Sequence, residues 1–219
     1  FRHMKPCICQ NFAKVKLLFM VAVYGMTSGA ALAADYATVL MYHRFGEDKY
    51  PSTNISIEQF EAHLNMLGNG NYNIWPLGKI VDHLQQGLNI PDKTVAITID
   101  DAYLSVFNEA RPRLKDRGFS YTVFVATQPV DRDQRGYMSW DQIRILQDEG
   151  VQIGSQTRSH PHMHDISLSD AKEELEFSNK RFLEEIGQRP KLFAYPYGEY
   201  NLGVVELVKQ AGFDAAFGQ

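Results

Sequence analysis

The segment Thr94-Val-Ala-Ile-Thr-Ile-Asp-Asp101 narrows most sharply what this chain can become. A run of apolar and β-branched residues with no polar alternation describes a strand buried on both faces, as in a parallel sheet covered by helices. The strand then ends in two adjacent carboxylates. Asp is a poor strand residue, and two side by side repel each other in a dry setting. Two readings account for them. Asp101 could cap a helix that starts near Tyr103. Alternatively, one carboxylate binds a metal ion and the other is kept as a base.

The surrounding sequence alternates strand and helix patterns. Thr38 to Tyr42 reads as a short strand. Ser56-Ile-Glu-Gln59 is a capping box that opens a helix with Phe60, Leu64 and Leu67 on one face, closed by Gly68-Asn-Gly70. Asn73 to Trp75 suits a strand and Leu77 to Leu84 a helix. Leu104 to Lys115 predicts a helix that kinks or breaks at Pro112. Ser120 to Ala126 and Val151 to Gly154 are strands either side of a helix capped by Ser139 and stopped at Gly150. Ser169-Asp170 opens the longest helix, to about Ile186, with Leu175, Phe182 and Ile186 on one face. Lys191 to Tyr195 and Phe213 to Phe217 are strands around a helix over 204–210. Repeated β-then-α units imply parallel strands with helices outside, in a barrel or an open sheet.

Residues 1–34 differ from the rest. Arg2, Lys5, Lys14 and Lys16 supply four positive charges and there are no acids. An apolar run, Leu17 to Tyr24, leads to small residues ending Ala31-Leu-Ala33. This predicts a cleavable secretory leader over 1–34, too short in its apolar stretch to span a bilayer, so no stable membrane anchor remains after cleavage. Phe1-Arg-His3 precede the first Met and are set aside as a possible scar. Of 22 basic and 26 acidic residues, 18 bases and all the acids fall in 35–219, a net charge of −8. An acidic, exported domain is a poor partner for nucleic acid. Cys7 and Cys9 both lie in the leader, so residues 35–219 contain no thiol to form a disulfide. At 44% hydrophobic residues the chain can build one core of its own. Its 11 Tyr fit a carbohydrate-facing cleft and a large core equally well.

In parallel α/β folds, function sits beyond the carboxyl ends of the strands. There the sequence places Tyr42-His43-Arg44, Asp100-Asp101, Thr127, Gly154-Ser-Gln-Thr-Arg-Ser-His-Pro-His-Met-His164 and Pro196-Tyr-Gly198. Acids, histidines and a Pro-Tyr-Gly turn on one rim favour the catalytic reading of the Asp pair over the cap.

At these residues the chain resembles the polysaccharide deacetylase family, the NodB-homology domain or carbohydrate esterase family 4. That family's Thr-Phe-Asp-Asp is here Thr98-Ile-Asp-Asp101, its Gly-x-His-Thr-x-x-His is Gly154-Ser-Gln156-Thr157-Arg-Ser-His160, and its Pro-Tyr-Gly follows Phe193-Ala-Tyr195. Met41-Tyr-His-Arg-Phe45 is similar to the branch that deacetylates poly-N-acetylglucosamine. The resemblance implies a distorted (β/α)₇ barrel over 35–219, incomplete at its C-terminal end, with an open edge at the strand beginning at Phe213. It implies metal-dependent hydrolysis of N-acetyl groups on a GlcNAc-containing polysaccharide, in the periplasm or outside the cell. Asp100 would be the general base, and the Tyr197 backbone N–H an oxyanion donor. Asp101, His160 and Gln156 would hold Zn²⁺, or else Co²⁺ or Ni²⁺. Tyr42, His43, Pro196 and Gly198 would line the substrate site.

Two departures accompany the resemblance. Gln156 stands where the family has a metal-binding His, and an amide oxygen is a weaker zinc donor than imidazole. His162 or His164 could take up ligation, or lie in a solvated loop. The Arg that would brace Asp100 is replaced near Ala194 and Tyr195, leaving Arg158 or Arg44 as substitutes. The family's later motifs, a His acid among them, would lie beyond Gln219, so either the sequence is truncated or the acid comes from elsewhere, His43 being a candidate donor or else a rim residue that orients substrate. A metal-free glycan-binding protein of the same fold, and a metal amidase of small amides, remain as alternative functions.

Overall fold

All six residues of Thr94–Ile99 are buried, as a strand covered on both faces must be. The computed structural model describes residues 33–34 and 36–218. Except for Ala33 and Ala34, the predicted leader lies outside the described residues. In chain order the sheet consists of β1 (Thr38–Tyr42), β2 (Asn73–Ile74), β3 (Thr94–Ile99), β4 (Thr122–Val125), β5 (Gln152–Ser155), β6 (Leu192–Ala194) and β7 (Ala215–Phe217). In space the order is β7-β6-β5-β4-β3-β1, with β2 paired to the start of β3, and every pairing is parallel. The β1–β3 register runs from Thr38 opposite Val95 to Tyr42 opposite Ile99, which brings His43 and Asp100 out at the same level.

The helices are α1 (Ile57–Asn69), α2 (Leu77–Gln86), α3 (Arg111–Asp116), α4 (Thr127–Asp131), α5 (Trp140–Asp148), α6 (Leu168–Ile186) and α7 (Leu202–Gln210). The Ser56–Gln59 capping box forms in both directions, and Phe60, Leu64 and Leu67 are the buried face of α1. Phe60 stacks within 4.6 Å of Phe45 and 5.4 Å of Tyr42, ring centre to ring centre. This aromatic knot ties α1 to the end of β1, where the rim begins.

The sheet is a curled half-barrel. Val39 and Met41 of β1 and Phe217 of β7 line one cavity of about 380 Å³, so the outer strands bend toward each other without pairing among the described residues.

Three elements refine or depart from their sequence patterns. The regular helix is interrupted just before Pro112, where the sequence predicts a kink or break, and α3 restarts with Pro112 in its first turn. A π turn over Val106–Ala110 precedes α3 and absorbs the missing N–H and the bulk of the ring, while Val106 and Ala110 stay buried. The long helix is capped by Ser167, not Ser169: the Ser167 hydroxyl oxygen accepts from the Asp170 N–H at 3.1 Å. Helix α4 has no pattern in the sequence, because five residues with no side-chain cap leave no periodic trace.

Phe60→Ala is expected to cost about 3–5 kcal/mol in urea unfolding, the range for a large aromatic removed from a sealed core. A cost below about 1 kcal/mol would mean that α1 is not anchored as described.

Candidate functional site

β3 delivers Asp100 and Asp101 to a cavity of about 410 Å³, shared with His43, Gln156, His160 and Tyr197. The rim is built from unfavourable backbone. Eight non-glycine residues among those described have positive φ, and five are here: Asp101 (71°), Ala102 (53°), Thr157 (71°), His160 (59°) and Tyr197 (58°). Left-handed backbone costs an L-residue about 1–2 kcal/mol, so such a cluster marks a place where position matters more than local stability.

Local hydrogen bonds hold these turns. The Asp100 N–H donates to the Tyr42 carbonyl at 2.8 Å. The Asp101 N–H donates to Gln156 Oε1 at 3.2 Å, and Gln156 is almost fully buried. The His160 N–H donates to Thr157 Oγ1 at 3.1 Å. The loop between them is clamped from α6. Glu174 Oε2 accepts the N–H groups of Arg158 and Ser159 at 3.0 and 2.7 Å, and Glu174 Oε1 accepts the Ser159 hydroxyl at 2.7 Å. Glu174 carries no motif of its own, since it looks like any solvent-facing acid on a helix, and only the tertiary contact gives it a role.

The two carboxylates sit in opposite environments. Asp100 is buried beside the charge of Asp101, and both effects push its carboxyl up to about 8. Burial also works to raise Asp101. The hydrogen bond and charge of His160, helped by His43 and a hydrogen bond from Tyr103, outweigh that and hold Asp101 below the usual carboxylate range. Burial pushes the His43 imidazole down; Asp101 opposes this, and His160 and Arg44 reinforce it. Asp101 makes these side-chain contacts and caps no helix.

Asp101 Oδ1 and His160 Nε2 lie 3.2 Å apart. Two ligands each about 2.0–2.1 Å from one tetrahedral ion are separated by about that distance, so this carboxylate and imidazole fit as a divalent-metal pair. Gln156 fits less well, because its oxygen already accepts the Asp101 N–H. Among the described residues no three His, Cys, Asp or Glu side chains converge as a metal-binding group. His162 and His164 do not join. Glu199 Oε2 lies 2.7 Å from His162 Nδ1 and 3.2 Å from His164 Nδ1, and His162 stacks face to face on Tyr197 at 3.9 Å. Tyr197 in turn packs edge-on against His160 at 4.6 Å.

The other sequence-nominated residues are distributed as follows. Gly198 lines the main cavity. Pro196 is buried beneath it, at the start of a 3₁₀ turn. Tyr42 is buried with its hydroxyl 3.0 Å from His63 Nδ1 and lines a neighbouring cavity of about 660 Å³. Neither substitute cation braces Asp100. The Arg158 guanidinium lies over Phe177 at 4.2 Å, and that of Arg44 is held between Tyr50 and Tyr103.

A profile of the polysaccharide deacetylase family matches residues 87–216. A Bacillus subtilis protein described as a putative polysaccharide deacetylase is 25% identical over 175 residues, which cover 80% of this chain and 61% of that protein. The chain thus spans about three fifths of that relative's length. The poly-β-1,6-N-acetyl-D-glucosamine N-deacetylase of Staphylococcus aureus is 23% identical, covering 84% and 67%. Among solved structures, IcaB from Ammonifex degensii superposes with a TM-score of 0.74 at 26% identity, covering 83% of this chain and 82% of that one. The Streptococcus pyogenes deacetylase PplD superposes with a TM-score of 0.75 at 20% identity, covering 81% of each chain.

The raised Asp100 has a stability signature. A carboxyl shifted from 3.8 to about 8 contributes its stability fully below about pH 4 and loses it as pH rises through about 8. In chelator-treated protein, the parent should therefore lose melting temperature relative to Asp100→Asn between about pH 5 and 9. Parallel pH profiles for the two proteins would place Asp100 in a wetter, less charged setting than described.

Proposed function

Because the chain belongs to the polysaccharide deacetylase family, we propose that it hydrolyses N-acetyl groups on a GlcNAc-containing polysaccharide. The observation that carries this reading is the pairing of Asp101 with His160 at 3.2 Å in the same cavity as the Asp100 carboxyl. The basic, apolar and then small-residue N-terminus supports export through a cleavable leader, and so an extracytoplasmic polymer as substrate. Among the described residues no helix is long and apolar enough to cross a membrane.

Asp101 and His160 would hold the divalent ion, zinc being the first candidate and Co²⁺ or Ni²⁺ the others. The ion, when bound, polarises the acetyl carbonyl and acidifies a water molecule. Everything else is done by the chain. Asp100 lines the cavity and, once a cation beside Asp101 has lowered its raised carboxyl enough to ionise it, would take the proton of the attacking water and hold it for return. A raised carboxyl is a better base than an ordinary one, provided that the cation beside Asp101 offsets the mutual repulsion. Tyr197 lines the cavity in a left-handed turn, and its backbone N–H would face the developing oxyanion. His43 lies opposite, within reach of Asp101 and His160 in its electrostatics, and orients the sugar or supplies a proton to the departing amine. Gly198 would meet the substrate in the cavity and Tyr42 in the neighbouring one, while Pro196 is buried at the start of the turn that carries Tyr197.

A second reading follows from Gln156. With its oxygen engaged by the Asp101 N–H, the third strong ligand of the family motif is missing, and the same cleft could bind glycan without metal or turnover.

The deciding experiment measures metal content and acetate release from N-acetylglucosamine oligomers, with and without added Zn²⁺ or Co²⁺. Metal-dependent acetate, lost in Asp101→Ala, is the expected result. Glycan binding that survives exhaustive chelation, with no acetate under any condition, would select the binding protein instead. If Glu174 positions the His160 loop, Glu174→Ala should lower the rate about 10- to 100-fold, as for other partners of metal ligands. Glu174→Gln, which keeps one acceptor oxygen, should fall between. Melting temperatures within a few degrees of the parent, for both variants, would separate this from unfolding.

A further inference from the structure

A second cavity, of about 460 Å³, opens beside the first. Gln134 and Tyr137 line both, so the two are neighbours across these side chains. Its charged residues are Arg44, Lys49, Arg135 and Glu47, a local net of +2 on a chain whose formal net is −4.

Arg44 is the unusual member. Its residue is only 9% exposed, and its guanidinium carbon lies 3.9 Å from the centre of the Tyr50 ring and 3.3 Å from that of Tyr103. Nη1 donates to Glu47 Oε2 at 2.8 Å, while Nε is buried with no partner among the described residues. Among the described residues Glu47 is the one carboxylate that meets this largely buried cation, so the excess positive charge of the cavity lies with Lys49 and Arg135. Lys49 and Arg135 are exposed and form no ion pair among the described residues. Lys49 Nζ is 5.5 Å from the Tyr50 ring centre. Three cations and Glu47 therefore line a space shared with Tyr50 and Tyr137, residues whose rings are of the kind that pack on a pyranose.

We infer that this cavity is a subsite for a carboxylate carried by the sugar next to the N-acetylated one. The substrate class is then an anionic N-acetylated glycan, not a neutral homopolymer. The inference rests on the deacetylase reading for the neighbouring cavity. The guanidinium is clamped between two rings in a fixed orientation, and Glu47 already meets its Nη1 as a carboxylate, so the incoming carboxylate is met chiefly by Lys49 and Arg135. The carboxylate could come from a uronic acid or from a lactyl ether on an amino sugar.

Calorimetric titration of the parent and of K49A/R135A tests this with three oligomers. They are neutral β-linked N-acetylglucosamine, an alternating glucuronate–N-acetylglucosamine oligomer, and a glycan strand bearing lactyl ethers. One carboxylate oligomer should bind the parent about tenfold more tightly than the neutral one at low salt, and which one identifies the source. That preference should vanish near 1 M salt and in K49A/R135A, whose melting temperature should match the parent's because both side chains are exposed. Equal affinities, or a preference unchanged in K49A/R135A, overturn the subsite. A phosphate-bearing glycan that outcompetes both carboxylate oligomers overturns the carboxylate assignment. Acetate released from the neutral oligomer alongside equal affinities discards the subsite and leaves the deacetylase reading standing. No binding and no acetate with any oligomer discards both.

Discussion

The rim depends on one constraint: β3 is buried on both faces and yet ends in two carboxylates. Ile99 is fully covered, and one residue later the chain must hold negative charge where little water reaches. It does so by separating the pair. Asp100 stays in the dry position and keeps its proton more tightly, while Asp101 turns into a left-handed conformation and meets His160. The two residues thereby acquire different acid–base behaviour although they are neighbours of the same type.

Each turn that makes this separation possible is fastened by a group from a different part of the chain. Gln156 holds the backbone of Asp101, Thr157 that of His160, and Glu174 the loop between them. The family motif explains why the polar residues cluster but not why the loop stays in place, which is work done by the polar side of α6. At position 156 the Gln side chain accepts the Asp101 N–H and so fixes backbone at the end of β3.

Much of this was legible in the sequence, and the limits are physical. β3 was readable because burial on both faces removes alternation, and α1 because its cap and apolar face are both local. The rim was readable because strand ends can be counted and the chemistry lies beyond them. What stayed hidden depends on long-range contact or on small energy differences. The π turn before Pro112 is a choice between breaking and widening a helix. The shift from Ser169 to Ser167 is a choice between two serines with equal capping chemistry. Glu174 and the Tyr50–Arg44–Tyr103 stack join residues far apart in sequence, and no periodicity reports such meetings. The substitute braces failed for the same reason: Arg44 and Arg158 both found aromatic rings instead of Asp100.

The left-handed residues around the cavity also have a consequence for how the protein can be studied. Backbone strain is concentrated beside the place where ligand would sit, and the surrounding hydrogen bonds hold it there. A molecule that engages only the ordered rim would be felt across the whole folding equilibrium, in proportion to how far its concentration exceeds its dissociation constant. Melting temperature then becomes a gauge of occupancy, and candidate ions and glycans can be ranked by heating the protein before any product is sought.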